Sequence, residues 1–190
     1  MQNEISWLNH KWGTSSELCL PIQDRGLRFG DGIFETILIL EGQPKLLKEH
    51  LERWSSSALL LGMEKPPDEN WVKSTINEGI KKISLTRGSG IIRLNWSRGN
   101  SHNRGIDLPK KTQSSDHHFW LEISAGEPYF DEVSTIISSK EKRNAASILS
   151  YCKTFAYGQA IQAKREAKNA GVNDAIFEST TGEICCGTTA

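Results

Sequence analysis

Lys153 is the residue whose setting most suggests covalent chemistry. It lies just ahead of a segment rich in small residues, among them Ala156, Gly158, Ala160 and Ala163, where a flat ring could approach the backbone closely. A lysine amine attacks an aldehyde when it is neutral, and burial or neighbouring positive charge favours that form. Lys153 is therefore a candidate Schiff-base lysine. The alternative is that Lys153 is a solvated lysine in a loop. This segment taken alone favours the solvated lysine.

The residues ahead of Lys153 predict an α+β unit. Residues 33–40 are apolar and rich in β-branched side chains, which predicts a strand. Apolar residues at helical spacing then predict a helix that ends at Gly62, and Asp68 is a plausible N-cap for a second helix. Residues 91–97 and 119–124 alternate like strands around a polar loop.

The chain divides best where turn residues separate two apolar runs, at residues 126–132. We predict a first domain over residues 1–125, a linker over 126–132 and a second domain over 133–190. In the second domain, the pattern predicts a strand from Thr135, a helix over 157–170 and a hairpin with its turn at 179–182. The predicted fold class is α+β with two lobes.

Composition excludes several classes of partner. The formal net charge is zero and the charges interleave, which argues against nucleic acid and anionic membrane surfaces. No apolar stretch is long enough to span a bilayer. The four cysteines lack the spacing of a disulfide framework, which predicts a reducing, cytoplasmic compartment. His117 and His118 have no third ligand at useful spacing, so no metal site is predicted.

Four groups of residues, taken in order, resemble the motifs of one known family. They are Asp24-Arg25-Gly26 with Phe29 to Thr36, Ser97-Arg98-Gly99 with Arg104-Gly105, Lys153-Thr154 with Tyr157 and Arg165 to Ala167, and Gly171 with Asp174-Ala175. From about Asn9 to Ala190 the chain is similar to the class-IV (fold type IV) pyridoxal-phosphate enzymes. These include branched-chain and D-amino-acid aminotransferases and 4-amino-4-deoxychorismate lyase. The resemblance implies a two-lobed fold, pyridoxal 5'-phosphate as cofactor, a small amino substrate and a homodimer.

The resemblance also implies roles for individual residues. Lys153 would hold the cofactor and shuttle protons, Arg53 would bind its phosphate, and Tyr157 would hydrogen-bond the ring hydroxyl. Arg104 and His102, on the polar loop, could receive a substrate carboxylate, either in their own site or in that of the other subunit. The alternatives are that Arg53 is a surface arginine on an amphipathic helix and that Tyr157 is a half-buried aromatic residue. Arg104 and His102 could likewise lie in a solvated loop.

Two features depart from the family's pattern. Counted from Gly182, Cys186 stands where the family usually has a glutamate beside the pyridine nitrogen. A carboxylate keeps that nitrogen protonated and a thiol does so poorly, which would favour elimination over transamination. Residues 187–190 resemble the start of a cofactor-binding turn, so Thr188 and Thr189 are predicted to bind the cofactor. The family continues beyond this turn, so the second domain is predicted to be truncated, either as a fragment of a longer protein or as a truncated gene product.

The reaction is predicted from the segment Phe34-Glu35-Thr36. It resembles the aminodeoxychorismate lyases more than the branched-chain aminotransferases, which usually have glycine at the position of Thr36. The Thr36 hydroxyl could relay a proton, or the residue could simply suit a strand. The leading prediction is a lyase that converts 4-amino-4-deoxychorismate to 4-aminobenzoate and pyruvate for folate synthesis. The alternatives are an aminotransferase on D- or branched-chain amino acids, and an inactive remnant that serves as a binding or dimerising module.

Overall fold

The computed structural model describes residues 3–101, 105–108 and 113–189. These residues form two compact units. The first is Met1–Pro128 together with Lys153–Phe155, and the second is Tyr129–Cys152 together with Ala156–Ala190. Both units mix helices and strands, which confirms the predicted α+β class. No helix in the described ranges is both long and apolar enough to cross a membrane.

The first unit is built on an antiparallel sheet of six strands. Along the chain its elements are β1 (Glu4–Leu8), β2 (Lys11–Gly13), α1 (Arg25–Phe29), β3 (Gly32–Leu40), β4 (Gln43–Pro44), α2 (Leu47–Leu60), α3 (Glu69–Lys82), β5 (Gly90–Ser97), a 3-10 turn (Ser114–Asp116) and β6 (His118–Ala125). The spatial order of the strands is β2-β1-β6-β5-β3-β4. The predicted strands and both long helices are therefore present, with bounds that differ by a few residues.

The two faces of this sheet differ because side chains alternate along each strand. One face, here called the helix face, packs its apolar residues against α2 and α3, and Trp54 of α2 is fully buried there. The opposite face, here called the Phe34 face, carries residues that lie side by side in the strand register. These are Phe34 and Thr36 of β3, Asn95 and Arg93 of β5, and Trp120 and Glu122 of β6.

The second unit is a three-stranded sheet with one helix. Its elements are a long strand β7 (Thr135–Arg143), a 3-10 turn (Ile148–Tyr151), α4 (Gly158–Asn169), β8 (Asp174–Ser179) and β9 (Ile184–Gly187). Strand β8 lies between β7, which is parallel to it, and the antiparallel β9. Small side chains let α4 lie close to the sheet, since its buried residues are alanines that pack against Ala175 and Phe177.

Candidate active site

The Lys153 segment lies along the beginning of β3. The backbone N–H of Phe34 donates to the carbonyl of Lys153 at 2.9 Å, and the N–H of Phe155 donates to the carbonyl of Gly32 at 3.0 Å. Between these bonds, Ile33 and Thr154 form an antiparallel bridge. Lys153 is therefore held by the backbone of the first unit's sheet, although the residues on either side of 153–155 belong to the second unit.

The Lys153 side chain lies on the Phe34 face. Its Nζ is 4.8 Å from the centroid of the Phe34 ring, and the guanidinium carbon of Arg93 is 3.7 Å from the same centroid. Arg93 Nε also donates to Oδ1 of the buried Asn95 at 3.0 Å, which orients the guanidinium. The Lys153 amine and the Arg93 guanidinium thus both lie next to the Phe34 ring. This arrangement places an amine beside a cationic group that suits a carboxylate.

Sequence reasoning missed Arg93. The available signal was a charged residue inside the apolar run of β5, where Ile92 and Leu94 are fully buried on the helix face. A cation at such a position has to lie on the opposite face of the sheet. That Arg93 and Lys153 meet the same ring could not be read from the sequence, because the two residues come from distant segments.

Thr36 lies in the same row of the sheet as Arg93. The two residues are direct register partners between β3 and β5, so their side chains share the Phe34 face. Thr36 is exposed, whereas its neighbours Glu35 and Ile37 are buried on the helix face. The predicted proton-relay hydroxyl is therefore open on the face that carries the Lys153 amine.

Arg53 is fixed by a carboxylate on the helix face. Its Nε donates to Glu35 Oε1 at 2.7 Å and its Nη2 donates to Oε2 of the same side chain. Glu35 is 1% exposed, and it also bonds Nδ1 of His50 at 2.7 Å. The hydrogen bonds that Arg53 donates to Glu35 raise the pKa of Arg53 above its ordinary value, so the guanidinium is cationic at every physiological pH.

The rest of the Arg53 guanidinium could meet an anion. The side chain is 54% exposed, and within the described ranges Nη1 makes no hydrogen bond. Glu35 thus orients the planar guanidinium of Arg53 through its Nε and Nη2 edge and leaves Nη1 for another ligand. The Lys153 carbonyl and the Arg53 guanidinium thus bond two consecutive residues of β3, Phe34 and Glu35, whose side chains point to opposite faces of the sheet.

The second unit holds the other predicted cofactor residues. Tyr157 is the N-cap residue of α4, and both it and Cys186 pack, partly buried, against the alanine cluster. Thr188 is 2% exposed and its hydroxyl donates to Asp174, while Thr189 is exposed. Burial raises the pKa of Asp174, but the hydrogen bonds from Thr188, the backbone and Lys164 outweigh it, and the net pKa lies below the ordinary value.

Two predicted residues cannot be placed. His102 and Arg104 lie outside the described residues. The chain just beyond them is anchored, since the guanidinium of the buried Arg25 donates to the carbonyls of Ile106 and Asp107 at 3.0 and 3.1 Å. Within the described ranges, no three His, Cys, Asp or Glu side chains form a group that could hold a metal ion.

These donors suit pyridoxal 5'-phosphate, the cofactor that the sequence resemblance implies. An aldehyde needs an amine, which Lys153 beside the Phe34 ring could supply. A phosphate dianion needs fixed cationic donors, and Arg53, with Nη1 unbonded among the described residues, could be one of them. Cys186 is the exception, because a thiol is a poor partner for a protonated pyridine nitrogen.

Comparisons with known proteins agree with this chemistry. The sequence model of the family described as amino-transferase class IV matches residues 32–190. A bifunctional aminodeoxychorismate lyase / D-amino acid transaminase from Mycobacterium tuberculosis is 28% identical over 160 residues, which cover 82% of this chain and 53% of that protein. A putative branched-chain-amino-acid aminotransferase from Methanocaldococcus jannaschii is 27% identical over 96% of this chain and 62% of its own length. The chain thus spans little more than half of the length of these curated relatives.

Solved structures show the same fold. An aminotransferase from Brucella abortus, bound to pyridoxal phosphate, superimposes with a TM-score of 0.83 at 19% identity, over 98% of this chain and 66% of that one. A putative 4-amino-4-deoxychorismate lyase from Legionella pneumophila gives 0.78 at 26% identity, over 90% and 60%. The predicted fold type IV architecture is confirmed by these superpositions. With the family match over residues 32–190, they establish that the chain belongs to the class IV aminotransferases, whose cofactor is pyridoxal 5'-phosphate.

Proposed function

We propose that this protein is a lyase that converts 4-amino-4-deoxychorismate to 4-aminobenzoate and pyruvate. The observation that carries the proposal is the exposed Thr36 hydroxyl, which lies beside Arg93 on the face that presents Lys153. Elimination of pyruvate needs a proton removed from the ring and a proton delivered to the leaving group. An amine and a hydroxyl on one face can supply both transfers.

Each residue of the site would have a separate task. Bound pyridoxal phosphate supplies an electron sink that acidifies the carbon bearing the substrate amine. Lys153 Nζ would take the proton from that carbon, and the Thr36 hydroxyl would relay one toward the leaving group. Arg53 would hold the phosphate in the orientation set by Glu35, and Tyr157 would hydrogen-bond the ring hydroxyl.

The substrate's two carboxylates would need two cationic partners. Arg93 is proposed as one, because its guanidinium lies on the ring that also meets Lys153. Arg104 and His102 are proposed for the other, and they lie outside the described residues. Thr188 and Thr189 are proposed to bind the cofactor, and Cys186 would leave the pyridine nitrogen weakly protonated, which elimination tolerates better than transamination does.

Transamination of a D- or branched-chain amino acid is the second candidate. The relatives' names favour it, since a D-alanine aminotransferase from Bacillus licheniformis is 36% identical over 96 residues, 49% of this chain. The same Lys153 amine would remove a proton from one carbon and return it to another. We propose a cytoplasmic homodimer in either case. An inactive remnant is the third candidate, favoured by Cys186 where the family has a carboxylate.

The lyase proposal is tested by supplying the purified chain and its Thr36 variants with pyridoxal phosphate and each substrate. Wild type should release 4-aminobenzoate from 4-amino-4-deoxychorismate faster than it transfers the amine of D-alanine to 2-oxoglutarate. Thr36→Gly should lower the lyase rate on the order of a hundredfold, and Thr36→Ser should keep most of it, because only the hydroxyl matters. Faster amine transfer would favour the aminotransferase, and neither activity would favour the remnant.

A further inference from the structure

The lysine segment is a very short addition to the first unit's sheet. Only Lys153–Phe155 belong to that unit, and two backbone hydrogen bonds join them to β3. Two such bonds contribute little net stability once the entropy of ordering three residues is counted. The bonds alone would therefore leave the position of the Lys153 amine weakly defined, and a side-chain anchor is needed.

The Phe155 ring supplies an anchor, because it occupies a slot that two glycines open. A Cβ on Gly32 would lie 2.2 Å from Cε2 of Phe155, and a Cβ on Gly26 would lie 2.8 Å from the same atom. Neither glycine has a positive φ, so their backbone conformations suit other residues, and it is close contacts that exclude a side chain. The Phe155 ring makes such a contact at both glycines, with Asp24 Oδ1 also at 2.8 Å from a Cβ on Gly26 and the Trp96 carbonyl at 2.9 Å from one on Gly32. The ring also lies 5.5 Å from that of Trp120, at a tilt of 45°.

Anchoring Phe155 also fixes the direction of the Lys153 side chain. Residues 153 and 155 are two apart in an extended segment, so their side chains emerge on the same side. The contacts of both with the Phe34 ring confirm this, at 4.8 Å for Lys153 Nζ and 6.3 Å between the ring centroids of Phe155 and Phe34. A slip of one residue would put Thr154 on the Phe34 face and turn the amine away.

We propose that Phe155 is a positioning residue for Lys153: its ring, seated on Gly26 and Gly32 beside Trp120, sets the register that presents the amine on the Phe34 face. The inference rests on the proposed role of Lys153 in holding the cofactor. Its structural part, the anchoring of the segment on β3, is measurable without cofactor.

The test measures amide hydrogen exchange and cofactor labelling in the same variants. Phe155→Ala should speed hydrogen exchange at the amides of Phe34 and of position 155 on the order of tenfold. These two amides donate the hydrogen bonds that join residues 153–155 to β3. After incubation with pyridoxal phosphate and reduction with borohydride, the share of label on Lys153 should fall and label on other lysines should rise. Phe155→Leu should give smaller changes in both. Phe130→Ala, at a 76% exposed phenylalanine in the second unit, should match wild type.

A double-mutant cycle covers the case in which Phe155→Ala unfolds the chain. Gly32→Ala should speed amide exchange at Phe34 much more in the protein that retains Phe155 than in the Phe155→Leu variant. The remaining close approach, 2.9 Å to the carbonyl of Trp96, is the same in both backgrounds and cancels. Unchanged exchange and labelling in Phe155→Ala, or an additive cycle, would overturn the proposal. A wild-type chain with protected amides but no label on Lys153 would instead count against the cofactor role and leave the anchoring supported.

Discussion

At the scale of single residues, the Glu35 carboxylate orients the Arg53 guanidinium, since it accepts hydrogen bonds from both Nε and Nη2. Lys153 and Arg53 could be singled out by the motifs around them. The bonds that orient them could not, because Glu35 and Arg53 lie in different elements and the Glu35 carboxylate is visible as a partner only once β3 packs against α2. The motif residue Glu35 is thus the buried acceptor that Arg53, the residue predicted to bind the phosphate, donates to.

Glu35→Gln tests this relation between carboxylate and guanidinium. The amide keeps the shape but removes the charge that both Arg53 and His50 contact, so we expect a loss of about 1–3 kcal/mol in the free energy of unfolding. The affinity for pyridoxal phosphate should fall on the order of tenfold, because Arg53 loses its fixed orientation. Chemical denaturation and a cofactor titration measure the two effects.

A matched control comes from the same helix as Arg53. Glu52 forms an exposed i,i+4 pair with Lys48 at 3.8 Å, and pairs of this kind contribute at most a few tenths of a kcal/mol. Glu52→Gln should therefore leave stability and cofactor affinity nearly unchanged. If Glu35→Gln behaved in the same way, the buried carboxylate would have no orienting role.

At the scale of elements, periodicity predicted the long segments and missed the short ones at the start of the chain. Helices α2, α3 and α4 and strands β3, β5 and β6 have enough residues for a period of 3.6 or 2 to show. Strand β1 was missed because its pairing depends on β6, far along the chain. The five-residue α1 is stabilised by its Asp24 cap and the contacts of Arg25 more than by an apolar stripe.

One glutamate of the second unit, Glu166, joins α4 to β7 through hydrogen bonds. Glu166 accepts hydrogen bonds from the Ser139 hydroxyl and backbone N–H and from the Ser138 hydroxyl, which lower its pKa from 4.5 to about 2. A carboxylate with a lowered pKa stabilises the fold when it is ionised. Its contribution is complete above the unfolded pKa and is lost as the pH falls through the folded value.

Glu166→Gln should therefore destabilise the protein at pH 7, and the difference from wild type should shrink as the pH falls from about 4.5 toward about 2. Denaturation curves at several pH values measure this difference. Glu132→Gln, at an exposed position, is the control and should follow wild type throughout. A gap between Glu166→Gln and wild type that stays constant with pH would contradict the assignment of the carboxylate bonds.

At the scale of the whole molecule, apolar side chains at the surface of the first unit support the proposed homodimer. Leu27 is 66% exposed and Ile106 is 74% exposed, and they come from segments that Arg25 joins through its hydrogen bond to the carbonyl of Ile106. Leu108 adds a third exposed apolar side chain close by in the sequence. Exposed apolar side chains of this kind are candidates for an association surface.

Leu27→Asp should shift the protein toward monomer in sedimentation equilibrium, because a charge would be buried at the interface. Ile184→Asp, at a residue 58% exposed on β9 of the second unit, is the control and should leave the association constant unchanged. Equal association of wild type and Leu27→Asp would exclude this surface as the interface.

The most direct test of the central claim, that Lys153 is the residue that binds the cofactor covalently, is to map the borohydride-reduced adduct of the purified chain with pyridoxal phosphate by mass spectrometry. We predict one phosphopyridoxyl group per chain on Lys153, and none on that peptide in Lys153→Ala. Label spread over surface lysines, or a stoichiometric adduct on another lysine, would contradict the account.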